Sequence, residues 1–418
     1  MKLSWLLALL TALLHPGMAM ADDPTGYQSR VAVSAATRLD WMFPLANQSP
    51  TEPPADWLPT DYDSARQGYE AFVPPGYRAE SKKTWPVVLF ISAGAEPAGW
   101  PQFQPVAERE GVIFASPYAA GNDCPMPRRV RIVLDVLDDL RRKYRTDPDR
   151  TYLAGFSGGG RVACAIAFAL PECFGGLMPV CAGGDLREEP WLRQRAIDRL
   201  SVALLTGSED FNRGEVERYR GPLLDGMGVR TYVGVQDGLG HGIPNSESFA
   251  AAFAELERGV PARVKRAKLF PATRAADEPP SREAAAAALL DEGRRRIESP
   301  RDCYRGLMLL SGLAARWPDV PAAAEALTIL REYDARAERP WERDDLAEQR
   351  KFLLAQARAL DAYASGPLSE QYAPMRKQML ESALELWWQI AADTPAAAAG
   401  REAAKRISEL ERQLAKIE

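Results

Sequence analysis

Three residue types at three points of the chain hold the ingredients of nucleophilic acyl transfer. Gly155-Phe156-Ser157-Gly158-Gly159 sets a serine among glycines directly behind the short apolar segment Thr151-Tyr152-Leu153-Ala154. A Gly-x-Ser-x-Gly between a strand and a helix describes a nucleophile elbow, a turn too tight for side chains at the flanking positions. Ser157 is the candidate nucleophile. A serine hydroxyl attacks when a neighbouring base takes its proton, and the chain holds two histidines, His15 and His241. His15 falls in the apolar N-terminal segment, so His241 is the candidate base. It stands in Gly238-Leu239-Gly240-His241-Gly242-Ile243-Pro244, a glycine-rich loop between the strand-like Thr231–Val235 and a helical pattern from Ser246 to Leu256. A loop imidazole that only caps the next helix is the competing reading.

The third requirement is a carboxylate that orients the imidazole and stabilises its cation. Ser201-Val202-Ala203-Leu204-Leu205-Thr206 reads as a buried strand that runs into Gly207-Ser208-Glu209-Asp210, placing acids at a strand's carboxyl end. Asp210 is the chosen acid. Glu209 is the runner-up, and Asp237, four residues before His241, is a third option.

These residues need a scaffold, and the flanking sequence predicts one. Val130, Val133, Leu134, Leu137, Leu140 and Tyr144 recur at helical spacing through a charged stretch, the buried stripe of an amphipathic helix. Thr146-Asp147-Pro148-Asp149 follows as a breaker, and after the serine the small and apolar run Arg161–Leu170 suits a helix against a sheet, closed by Pro171. Pro86–Ile91 and Gly111–Ala115 are short apolar runs rich in β-branched and aromatic residues, as strands buried on both faces require. Strands alternating with helices predict an α/β fold with a mostly parallel sheet, whose functional groups gather beyond the strands' carboxyl ends.

From about Tyr69 to Leu256 the chain resembles the α/β-hydrolase superfamily, and most its polyhydroxybutyrate-depolymerase and feruloyl-esterase-like branch of secreted serine esterases. Gly155–Gly160, Thr206–Asp210 and Gly240-His241 carry the likeness, as does the order Ser157, Asp210, His241. The resemblance implies hydrolysis of a small-molecule or polymeric ester through an acyl-enzyme. A serine peptidase of the same fold, and an inactive hydrolase-like binding protein, are the alternatives. One departure stands out. Such esterases follow an early strand with a His-Gly pair whose loop donates an N–H to the oxyanion, whereas here Ile91 leads into Ser92-Ala93-Gly94-Ala95-Glu96-Pro97. The expected oxyanion hole is therefore the backbone N–H of Gly158 with that of Gly94 or Ala93.

Composition bounds the remaining roles. A net charge of -5 over 418 residues argues against a nucleic-acid binder, which needs a basic field. No Cys-x-x-Cys pair, no His-Glu-x-x-His and a single histidine beyond the N-terminal segment argue against a zinc site, and no cofactor is expected. Met1-Lys2, the apolar Leu3–Leu14 and the small-residue Ala19-Met20-Ala21 read as a signal peptide over 1–21, which predicts export to the periplasm or beyond. That apolar run is short for a membrane span, and no other segment reads as one. Export permits disulfides among Cys124, Cys164, Cys173 and Cys181, with Cys303 alone; small buried thiols are the alternative.

The domain reading is an N-terminal extension over 22–65, an α/β-hydrolase domain over 66–270, a proline-interrupted linker over 271–282 and an all-α domain over 283–418. Glu283–Ile297, Cys303–Trp317, Ala322–Tyr333, Arg343–Ala364, Pro374–Ala392 and Gly400–Ile417 read as helices. Asp319-Val320-Pro321-Ala322-Ala323-Ala324 resembles Asp393-Thr394-Pro395-Ala396-Ala397-Ala398, and the pattern resembles tetratricopeptide-type hairpins, which implies a protein partner. A helical appendage packed on the hydrolase is the competing reading. Trp387 and Trp388 are read as inter-helix packing.

Overall fold

The structure, a computed structural model, describes residues 25–39, 62–276, 278 and 281–417. The predicted signal peptide lies outside them. Eight strands form one sheet: β1 (Gly26–Ala32), β2 (Gly68–Val73), β3 (Trp85–Ile91), β4 (Ile113–Pro117), β5 (Thr146–Phe156), β6 (Gly176–Val180), β7 (Ser201–Gly207) and β8 (Arg230–Gln236). Their order is β1-β2-β4-β3-β5-β6-β7-β8. β1 and β4 both run antiparallel to β2, and every pair from β4 to β8 is parallel.

Helices cover both faces, which is why β3 and β7 are apolar and buried throughout. On one face α2 (Met126–Lys143) and α3 (Gly158–Ala169) bury Val133, Leu137, Val162 and Ile166 against Val87, Leu89 and Leu153. On the other, α1 (Trp100–Glu110) and α6 (Ser246–Arg258) pack Phe103 and Phe249 edge to face at 5.7 Å over Phe90. α4 (Pro190–Arg199), α5 (Gly221–Met227) and α7 (Val260–Leu269) complete this half.

Two features depart from the sequence reading. Gly26–Ala32, assigned to an N-terminal extension, is the edge strand β1, whose mostly exposed residues leave no apolar run to read. Thr146–Asp149, read as a breaker, opens β5. Trp85 pairs with Thr146 and Val87 with Thr151, so the intervening residues bulge, and Pro148 is accommodated without a ladder bond.

The C-terminal part is helical: α8 (Arg282–Ile297), α9 (Cys303–Arg316), α10 (Pro321–Asp334), α11 (Trp341–Ser365), α12 (Arg376–Asp393) and α13 (Ala398–Leu414). The first three share a core around Leu290, Leu310, Leu313 and Trp317; the last three share one around Leu380, Trp387 and Leu410. Both sets sit against the sheet-bearing half. Arg195 of α4 forks onto Glu292 of α8 with both contacts at 2.9 Å, and Trp191 fills the notch that Gly312 leaves open. Lys351 of α11 donates to the Met227 carbonyl at 2.9 Å, and Tyr363 stacks on Tyr219. Trp387 is buried and donates to Asp361, as the packing reading requires; Trp388 is 49% exposed and is not inter-helix packing. All five cysteines are free, and among the described residues no helix is long and apolar enough to cross a membrane.

Candidate active site

Ser157 is the single residue between β5 and α3, at the helix N-cap, held at φ 52 and ψ −118. A non-glycine residue at positive φ costs energy and persists only when its surroundings dictate it. They do so through backbone packed on backbone. A Cβ at Gly155 would lie 2.5 Å from the Gly159 carbonyl carbon, and one at Gly159 would lie 2.0 Å from the Ile91 oxygen. The Ser157 amide is pinned to the Val180 carbonyl of β6 at 2.8 Å. The glycines thus let α3 start in contact with the ends of β3 and β5.

The loop after β8 brings His241 to this point. Its Nε2 lies 3.0 Å from Ser157 Oγ and its Nδ1 2.7 Å from Asp210 Oδ1. An ionised carboxylate only accepts, so Nδ1 carries the ring proton and Nε2 is left as the acceptor for the serine hydroxyl. The ring is held by aromatic neighbours: Phe211 stacks on it at 4.1 Å and Phe156 approaches at 5.0 Å.

Asp210 is buried, with a side chain closed to solvent. Besides His241 it accepts from the Asn212 amide at 3.0 Å and from Thr206 Oγ1 at 2.7 Å. The other two acids do not touch the imidazole. Glu209 is exposed, and Asp237 accepts from Ser208 Oγ at 3.2 Å.

The oxyanion expectation divides. Gly158 opens α3 and, among the described residues, its N–H meets no protein acceptor. The Gly94 N–H, in contrast, donates to Ser92 Oγ at 3.0 Å. In this arrangement it is spent inside its own loop, a bond that the Ser92-x-Gly94 spacing could have signalled. Among the described residues the Ala93 N–H carries no such bond, while its carbonyl accepts from Asn122 at 2.8 Å.

Sequence reasoning missed the residues that back the acid. Asn212 Nδ2 donates to the Cys181 carbonyl at 2.8 Å, and Tyr372, from the C-terminal helical part, donates to Asn212 Oδ1 at 3.0 Å. Cys181 Sγ contacts the Gly242 carbonyl at 3.3 Å. The ligand atoms of Cys181, Asp210 and His241 lie within 4.8 Å of one another, a spacing that a metal ion could bridge. Burial, then the Asp210 charge, pushes the Cys181 thiol up to about 12. A soft metal needs the thiolate, and the facing atoms of His241 and Asp210 are engaged with each other, so the donor set fits a hydrogen-bonded cluster better than a metal centre.

No family model and no curated protein matches the chain. Solved structures do. A ferulic acid esterase is 18% identical over 47% of this chain and 93% of its own, with a TM-score of 0.37. A thermostable esterase is 17% identical over 48% of this chain and 59% of its own, TM-score 0.35. A puromycin-hydrolyzing peptidase of Mycobacterium tuberculosis is 17% identical over 46% and 37%, TM-score 0.34. The chain thus spans less than two thirds of the last two proteins.

Proposed function

We propose that the chain is a serine hydrolase that cleaves carboxylic esters through an acyl-enzyme. The observation that carries this is the continuous hydrogen-bond chain from Ser157 through His241 to Asp210 at a strained strand-to-helix turn. Ser157 Oγ attacks the carbonyl carbon as His241 Nε2 takes its proton. The resulting imidazolium is stabilised by buried Asp210, and the oxyanion by the N–H groups of Gly158 and Ala93, each such donor contributing about 3–4 kcal/mol in comparable sites. His241 then gives its proton to the leaving alcohol. Water, activated by the same ring, attacks the acyl-Ser157 ester and releases the acid.

The test is hydrolysis of a panel of 4-nitrophenyl esters beside Ser157→Ala and His241→Ala, with fluorophosphonate labelling of Ser157. Loss of turnover in both variants and of labelling in Ser157→Ala is the expected result. An unlabelled, inactive wild-type protein would move the reading to a hydrolase-like binding protein, and turnover of peptides over esters to the peptidase. Export belongs to the same proposal and rests on residues 1–21. N-terminal sequencing of the protein recovered from the periplasm should begin near Asp22.

A further inference from the structure

A cavity of about 450 Å³ opens beside the elbow, between the N-terminal turns of α2 and α3 and the loop from β6 to α4. Its wall includes Arg129, Gly158, Arg161, Gly184, Asp185 and Arg220. Gly158, the residue that follows the candidate nucleophile in the chain, forms part of this wall, so the cavity opens one residue away from Ser157. The size suits a small ligand, since it equals the liquid volume of roughly fifteen waters.

The wall is rich in guanidinium groups, and they are not equivalent. Arg161 forks onto Glu215 at 2.8 and 2.7 Å. Arg220 pairs with Glu215 and with Asp185, the carboxylate of the wall. Arg129 has no such partner. It is 6% exposed; its Nε donates to the Ala120 carbonyl and its Nη2 to the Ser92 carbonyl, at 2.5 and 3.1 Å, and among the described residues no carboxylate pairs with it. Burial pulls its pKa below the usual arginine value. A buried cation satisfied only by neutral carbonyls keeps a strong affinity for an anion, because the desolvation cost is already met. The first amides of α3, at the same wall, add the positive end of a helix dipole.

We propose that this cavity binds a carboxylate carried by the ester substrate, with Arg129 as its counter-charge. The substrate class is the half-ester of a short dicarboxylic acid, whose ester carbonyl sits at Ser157 while its free carboxylate reaches Arg129. The inference rests on the hydrolase reading and narrows it.

The experiment compares kcat/KM for monoethyl glutarate and ethyl valerate, which share a five-carbon acyl chain and differ in the terminal charge, by pH-stat titration. The ratio is internal to each variant and so independent of how much enzyme is folded. The wild-type protein should favour the half-ester by tenfold or more; Arg129→Met should lower that ratio at least tenfold, and Arg129→Lys should restore part of it. A wild-type ratio near or below unity, or one unchanged in Arg129→Met, overturns the proposal even if Ser157 is labelled and active. If neither ester is turned over, calorimetric binding of glutarate decides it. Binding that weakens tenfold in Arg129→Met supports the anion site, and no binding refutes it, whatever becomes of the hydrolase reading.

Discussion

Replacing Asp210 by asparagine separates the carboxylate's charge from its geometry. Asp210 Oδ1 accepts from both His241 and Asn212, and Oδ2 accepts from Thr206. If the asparagine NH2 stood at the Oδ1 position it would face the Asn212 N–H, donor against donor, at a cost of about 1–3 kcal/mol. The other orientation keeps both bonds to Oδ1 and asks only that the Thr206 hydroxyl rotate to accept, which it can do. The variant should therefore fold and hold the same imidazole tautomer. What disappears is the negative charge opposite the imidazolium formed in the transition state. At an effective dielectric of about 20 and a charge separation of about 4 Å that attraction is about 4 kcal/mol, or about a thousandfold in rate. Steady-state hydrolysis of a 4-nitrophenyl ester, with circular dichroism as the folding control, should show kcat of Asp210→Asn down about a thousandfold. Asp210→Ala, which strands three donors, should be worse. Glu209→Gln and Asp237→Asn should stay within about twofold, since neither acid touches the ring. A kcat for Asp210→Asn within tenfold of wild type, or a larger loss in Glu209→Gln or Asp237→Asn, would refute this assignment of the acid.

Gly159→Ala puts a Cβ 2.0 Å from a backbone oxygen that has no rotamer to yield, so a loss of about 3 kcal/mol or more, read as a lowered melting temperature, is expected. Glu292→Ala leaves the buried Arg195 with only its 3.7 Å pair to Glu172 and takes one partner from the buried Arg296, and should cost about 3 kcal/mol in denaturant titration. Its control, Glu325→Ala at the exposed Arg294 pair, should shift stability by less than about 1 kcal/mol. With a thiol held near 12, Cys181 exposes a thiolate fraction of only about one in ten thousand at pH 8. Peptide mass spectrometry should find it unmodified by iodoacetamide in the native protein and alkylated after unfolding.

Ser157, Asp210 and His241 were legible because residue type, a glycine signature and strand ends suffice to propose them. The choice of Asp210 over Glu209 follows from Thr206, Asn212 and the burial of one acid, which only the folded chain brings together. Buried strands such as β3 and β7 announce themselves as apolar runs, whereas β6, Gly176-Leu177-Met178-Pro179-Val180, opens with glycine and contains proline, and no local pattern reveals it. The oxyanion loop was read from the position of Gly94, but a side chain two residues back claims its amide. Tyr372 could not be foreseen, because its contact with Asn212 spans 160 residues.

That long-range contact changes how the C-terminal helices relate to the site. The acid loop is fastened from both sides: Asp210 leans on Asn212, and Asn212 bridges the Cys181 carbonyl of the sheet to the Tyr372 hydroxyl of the helical part. The neighbouring segment is tied down in turn, since Arg218 donates to the Pro367 carbonyl and Tyr363 stacks on Tyr219. A strained serine and a buried carboxylate stay in position only where packing over-determines them. On the serine side that packing comes from glycines 155 and 159 within the sheet half. On the acid side part of it comes from outside the sheet, so the helices act as structural support for the acid loop whether or not they also meet a partner.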